Sequence, residues 1–160
     1  MLQRPQTLLL GLIVILMLAA LFLPNWAKTS VDGQITAVQT AFELNVTTNS
    51  QADIKTDVRN RIYIAGMLVL IAGLAGYSIS QYLKRMNQLK VGFAITLSIA
   101  LTLIAIMLGA KEGAGFFEII KEGQYGYGFY CLFVALFANM ISNRLIRRDE
   151  HLVRSMDRIR

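Results

Sequence analysis

Val91-Gly92-Phe93-Ala94-Ile95-Thr96-Leu97-Ser98-Ile99-Ala100-Leu101-Thr102-Leu103-Ile104-Ala105-Ile106-Met107-Leu108-Gly109-Ala110 runs for 20 residues without a charged side chain, and Lys90 and Lys111 close it on either side. As a helix it reaches about 30 Å, the depth of a bilayer's hydrocarbon. Three further uncharged stretches have the same property: residues 5–27, 62–83 and 123–143. Together the four make up more than half of a 160-residue chain. Hydrophobic residues are 55% of the sequence, and charged residues are 16%, against roughly 25% in soluble domains. This excludes a soluble globular domain, a disordered chain and a secreted disulfide scaffold; the last also fails because there is one cysteine.

Four spans leave an outer loop at 28–61, an inner turn at 84–90, a second outer loop at 111–122 and a tail at 144–160. The chain therefore reads as one membrane domain over 1–160, with no room for another. The first span is expected to be an uncleaved anchor. Its apolar core, 8–23, is long for a signal peptide, and Pro24-Asn25-Trp26 offers no small-residue cleavage site. Trp26 sits where an interfacial aromatic belongs. An even number of spans puts both termini on one side. That side carries Arg4, Lys84, Arg85, Lys90, Arg144, Arg147, Arg148, Arg154, Arg158 and Arg160 against Asp149, Glu150 and Asp157. The other side is close to neutral, so the termini are expected to be cytoplasmic. The net charge of +6 then reflects topology, and no nucleic-acid partner is expected.

In the first outer loop, Ala41-Phe42-Glu43-Leu44-Asn45-Val46-Thr47 alternates with period 2, as a half-buried strand does. With the β-favourable segment 34–38 it predicts a small hairpin, which must lean on another surface because a lone hairpin is marginal. Asn49-Ser50-Gln51 reads as the following loop, and Thr56-Asp57 as the N-cap of the second helix. The expected fold is thus an all-α four-transmembrane-helix bundle with both termini inside, a small β-hairpin in the first outer loop, and an amphipathic basic C-terminal helix. That last helix places Leu152, Met156 and Ile159 at helical spacing among Arg144, Arg147, Arg148, Arg154 and Arg158. Those tail residues are candidates to dock a partner or lipid headgroups, each cation gaining about 1 kcal/mol from an anionic surface.

No span contains Asp, Glu, Lys, Arg or His, so the ionisable groups of a proton path or coupled transporter are missing at depth. The lone His151 lies in the tail, which leaves no paired haem ligands. The lone Cys131 lies in the fourth span and reads as a small packing residue. Glycines at Gly113-Ala114-Gly115 and Gly126-Tyr127-Gly128 read as turn and helix-start residues. No metal, cofactor, small-molecule substrate or catalytic set is expected. What the spans do carry are small residues at helix-packing spacing. These are Gly66, Ala72, Gly73 and Gly76 in the second span, Ala94, Ser98 and Thr102 in the third, and Cys131, Ala135 and Asn139 in the fourth. They serve either packing within the bundle or docking of a partner helix.

The opening Met1-Leu2-Gln3-Arg4-Pro5-Gln6-Thr7 and, more specifically, the closing Arg147-Arg148-Asp149-Glu150, Leu152-Val153-Arg154-Ser155 and Asp157-Arg158-Ile159-Arg160 resemble a four-span membrane protein family of the Bacteroidota, the domain of unknown function 4293. Lys84-Arg85 followed by Gln88 is similar to its inner turn. One departure is Cys131, where that family's pattern has a proline near 130–132, and this puts a kink of the fourth helix in question. The resemblance implies a bacterial inner-membrane location and brings no activity, cofactor or site residue. The functional expectation is a small non-enzymatic accessory or structural subunit whose partners are other integral membrane chains and anionic lipid headgroups. The alternative is a homo-oligomeric channel lined by Thr96, Ser98, Thr102, Asn139 and Ser142. Enzyme sites would have to be drawn from loop groups such as Glu112, Glu118 and Tyr125.

Overall fold

The computed structural model describes residues 5–30, 33–50, 53–81, 85–116 and 123–157, with the side chains of 50, 53, 85 and 151–157 outside that description. Its elements are α1 (Pro5–Phe22), β1 (Trp26–Thr29), β2 (Ile35–Gln39), β3 (Glu43–Ser50), β4 (Asp53–Asn60), α2 (Ile62–Ser80), α3 (Arg85–Ala114), β5 (Gln124–Tyr125) and α4 (Tyr127–Asp157). All four helices are long and apolar enough to cross a membrane.

The helices form a closed ring. Each packs on the next, and α4 returns to α1. Their buried stripes meet in one core of Leu10, Ile13, Met17, Leu68, Ile71, Ile95, Ile99, Ile106 and Leu132, with Ala20, Ala75 and Ala135 where helices approach closely. The opposite faces are just as apolar and remain exposed: Ile15, Phe22, Val69, Phe93 and Phe137 all point outward, Phe22 at 80%. Helices that are apolar all round lack the polar face a water-facing bundle needs, so the arrangement is compatible with a membrane protein.

The fold is not the all-α bundle that charge spacing suggests. A five-stranded antiparallel sheet, ordered β4-β3-β2-β1-β5, covers one end of the ring, so the architecture is mixed α and β. The alternating segment does pair with the one before it, Val38 opposite Asn45 and Ile35 opposite Thr48. β1 and β5 carry no such signal, whereas β4 alternates as well, Asp53, Lys55, Asp57 and Arg59 against Ile54, Thr56 and Val58. β1 begins inside the first uncharged stretch: the helix stops at Phe22 because the residue before Pro24 is pushed out of helical geometry, and Trp26 begins a strand instead. β4 replaces the expected loop. Asn49 and Ser50 continue β3 and pair with Ile54 and Asp53. Thr56 and Asp57 lie within β4, not at a helix cap. The N-cap position is Arg61, which makes no side-chain cap bond, and Asn60 Oδ1, one residue earlier, accepts the Ile62 amide at 2.9 Å. The start of α2 is further held by the β2–β3 turn, where the Ala41 carbonyl accepts the Ala65 amide.

Helix lengths explain where the sheet sits. α1 and α2 have 18 and 19 residues and span about 27 Å. α3 and α4 have 30 and 31 and span about 45 Å. The surplus of α3 rises beyond α2 at one end, and β1, β2 and β3 all rest on it. A second core forms there from Trp26, Ala37, Leu44, Val46 and Ala110. Trp26 is only 3% exposed, contrary to an interfacial anchor. Its ring is wedged between Gly113 and Gly123, where an added Cβ would lie 2.7 and 2.4 Å from it. The approach to α4 is equally tight. The carbonyl of Pro24 accepts the Gly128 amide at 3.0 Å and that of Asn25 accepts the Gly126 amide at 3.0 Å, so two amides around the start of α4 are satisfied by the strand leaving α1.

Because the second core is separate from the helix core, Trp26→Ala is expected to lower stability by about 3–5 kcal/mol. Circular dichroism of the purified protein should show the strand contribution melting first while the helical signal persists.

Candidate functional site

The bundle interior is polar in places but carries no charge. Among the described residues the buried ionisable side chains are Lys28 and Arg61, both in the sheet layer. The helices bury Gln6, Ser78, Gln88, Thr102, Asn139 and Ser142. Consecutive helices alternate in direction, so Gln6, Ser78, Gln88 and Ser142 all sit at the end opposite the sheet. Gln88 Nε2 donates to the Ser78 carbonyl at 2.8 Å and ties α3 to α2. Asn139 ties α4 to α3: its Nδ2 donates to the Gly92 carbonyl and to Thr96 Oγ1, both at 2.8 Å. The Thr96 hydroxyl in turn donates to the same carbonyl at 3.1 Å. Asn143 lies directly over Gly92, where a Cβ would meet its side chain. No group of three or more His, Cys, Asp or Glu that could hold a metal occurs among the described residues.

The small-residue candidates divide sharply. Thr102, Ala135 and Asn139 are buried, with Ala94, Ser98 and Cys131 half-buried beside them, so the α3 and α4 faces pack within the bundle. The α2 candidates do not. Gly66, Gly73 and Gly76 point outward and have nothing within 4 Å of an added Cβ, and Ala72 is half-buried. The contact that most closely joins α3 to α4, Gly92 against Asn143, is absent from the sequence-based candidates. Its only sequence signal is Gly92 four residues before Thr96, one helical turn away on the same face.

At the sheet end the loop carboxylate has a structural partner. Arg61, buried, donates to Glu112 and to the Tyr63 hydroxyl at 2.8 Å. Arg59 lies 4.0 Å from the same carboxylate and covers the Phe116 ring. Burial opposes the charge on Arg61, but the hydrogen bonds to Tyr63 and Glu112 outweigh it and hold its pKa above the ordinary arginine value. The cluster joins the start of α2 to the end of α3. Tyr125 stacks on Phe129 at 4.2 Å, and Glu118 lies outside the described residues.

The other end carries the arginines. α4 continues as one helix past Cys131 to Asp157 and exposes Arg144, Arg147 and Arg148. Leu152, Arg154 and Met156 lie on this helix with side chains outside the described set, and Arg158 lies outside the described residues. Between α3 and α4 runs a groove of about 280 Å³. Leu89, Phe93 and Met140 form its walls, Thr96 and Asn143 its polar floor, and Arg144 and Arg147 its rim.

A ring of four membrane-length helices capped at one end by a sheet, and bearing cations at the other, defines the class. Within it, the chain matches over residues 2–159 the family described as a domain of unknown function (DUF4293), and belongs to that family. No curated protein matches the chain.

The seam at Gly92 yields a direct test. Gly92→Ala is expected to cost about 1 kcal/mol, because Asn143 must leave its position. Combining it with Asn143→Ala should recover much of that loss, giving a coupling of about 0.5 kcal/mol or more in a double-mutant cycle measured by denaturant unfolding in mixed micelles.

Proposed function

We propose that this protein is a small non-enzymatic integral membrane protein of a bacterial inner membrane, with cytoplasmic termini, that serves as an accessory or structural subunit of a larger complex. The observation that carries this reading is the outward face of α2. Gly66, Gly73 and Gly76 share one stripe with Tyr63, Val69, Leu70 and Tyr77, all exposed. Glycine inside a helix costs about 1 kcal/mol relative to alanine. Three of them on a face that packs nothing in this chain fit the close approach of a helix from another chain, the packing that small residues allow in lipid. The same side continues outward. β4 leads directly into α2, is the free edge of the sheet and is exposed from Ile54 to Asn60. One partner could therefore meet helix and strand edge along a single line.

A pore between copies finds less support. Such a pore needs polar groups on an outward face, whereas Thr102, Asn139 and Ser142 are buried inside a single chain's ring.

Gentle detergent extraction and pull-down should recover stoichiometric partner chains with the wild type. Replacing Gly66, Gly73 and Gly76 with Leu should abolish that recovery while thermal stability stays equal or rises slightly, since the positions are open and leucine favours the helix. Recovery of only a monomer or homo-oligomer from wild-type membranes refutes the accessory role.

A further inference from the structure

We infer that the α3–α4 groove is a site for one anionic phospholipid, its phosphate held by Arg144 and Arg147 and one acyl chain lying along Phe93 and Met140. The order of side chains along the groove carries this. α3 runs outward from Arg85 and α4 runs inward toward Asp157. The deep end of the groove is therefore Phe93, Thr96 and Met140, and the shallow end is Leu89, Arg144 and Arg147. Its polarity thus changes from apolar to cationic parallel to the helix axes, as the polarity of a lipid does from tail to headgroup. Arg144 and Arg147 are three residues apart, on neighbouring positions of one helical face, and both line the shallow end of the groove. Arginine's fork geometry suits a phosphate diester, and no lining residue is acidic. Between the two ends Asn143 forms a polar floor at the depth of a lipid's glycerol esters, and Thr96 closes the deep end. Thr96 Oγ1 is already engaged with Gly92 and Asn139, so that end is held in place by the α3–α4 seam.

The groove's volume admits a phosphoglycerol group and the first carbons of a chain. The rest of the lipid would continue over Phe93, Val134 and Phe137, which are all exposed. A phosphatidylglycerol-like lipid fits both ends. Inorganic phosphate would use the rim alone, and a zwitterionic lipid would set its own cation against the arginines. The inference rests on the membrane reading of the helices but not on the accessory role.

The test uses the full chain, extracted from membranes in mild detergent, stripped of lipid and titrated with phosphatidylglycerol or phosphatidylcholine while native mass spectrometry counts bound lipid. One phosphatidylglycerol should be retained in preference to phosphatidylcholine. R144Q/R147Q should bind it roughly thirtyfold more weakly, the effect expected of two headgroup cations. R148Q, exposed on the same helix but outside the groove, should stay within about twofold of wild type. Circular dichroism should be the same for all three proteins. If R148Q weakens binding as much as the double variant, general attraction to a basic tail explains the lipid and the site is refuted. Equal retention of phosphatidylcholine, or displacement of the lipid by millimolar inorganic phosphate, refutes it as well. A chain that needs no detergent to leave the membrane fraction overturns this inference and the membrane reading together. A detergent-extracted chain that retains no anionic lipid overturns this inference alone.

Discussion

A mismatch in helix length governs this molecule. Two helices are cut to about 27 Å and two run to about 45 Å, and the surplus lies at opposite ends. At one end α3 rises beyond α2, and its last turns present Ala110 and Gly113 to the sheet. A four-residue strand, a two-residue strand and a polar edge strand could not be stable alone. They persist because Trp26, Leu44 and Val46 close over that exposed helix end. At the other end the surplus belongs to α4, which carries Arg144 and Arg147 beside the first turns of α3 and runs on to Asp157. Shorten α3 by three turns at the sheet end and β1, β2 and β3 lose the helix they rest on.

The sheet and the ring are joined by backbone as well as by side chains. The strand after α1 gives its carbonyls to the amides at Gly126 and Gly128, and the β2–β3 turn gives one to Ala65. Helix starts leave amides without partners, and an apolar setting makes each such orphan expensive. Here the sheet supplies the missing acceptors, which fixes its position relative to α2 and α4. The Arg61–Glu112 contact adds a third tie between α2 and α3 at the same level. The two buried amide side chains of Asn25 and Gln39, both fully enclosed at this junction, mark how closely the layers meet.

Much of the helical framework was legible in the sequence because charge is excluded from apolar spans over lengths that only a helix of that size explains. One strand pair was legible because Leu44 and Val46 alternate with polar residues. The rest was not, for physical reasons. Trp26 begins a strand inside an uncharged run, where spacing of charges says nothing about where a helix stops. β4 does alternate, Asp53, Lys55, Asp57 and Arg59 against Ile54, Thr56 and Val58, but it is exposed on both faces, and so dense a run of charges has the composition of a solvated loop. β5 is two residues long and owes its existence to β1 beside it. Among the candidate surfaces, spacing identified small-residue faces but not their direction. The stripes on α3 and α4 turned inward and that on α2 outward, a choice made by which neighbours the ring supplies. Gly92 meeting Asn143 joins two helices distant in sequence, and a single chain's periodicity contains no record of that meeting.

The unbroken course of α4 has a mechanical consequence. Its start is held through Pro24 and Asn25 to the segment that leads into β1, and no proline interrupts it on the way to Asp157. A helix of about 46 Å is thus held both at the sheet end, by Pro24 and Asn25, and farther along, by the Asn139 bond to Gly92, so the arginines just beyond that bond keep a fixed distance from the sheet.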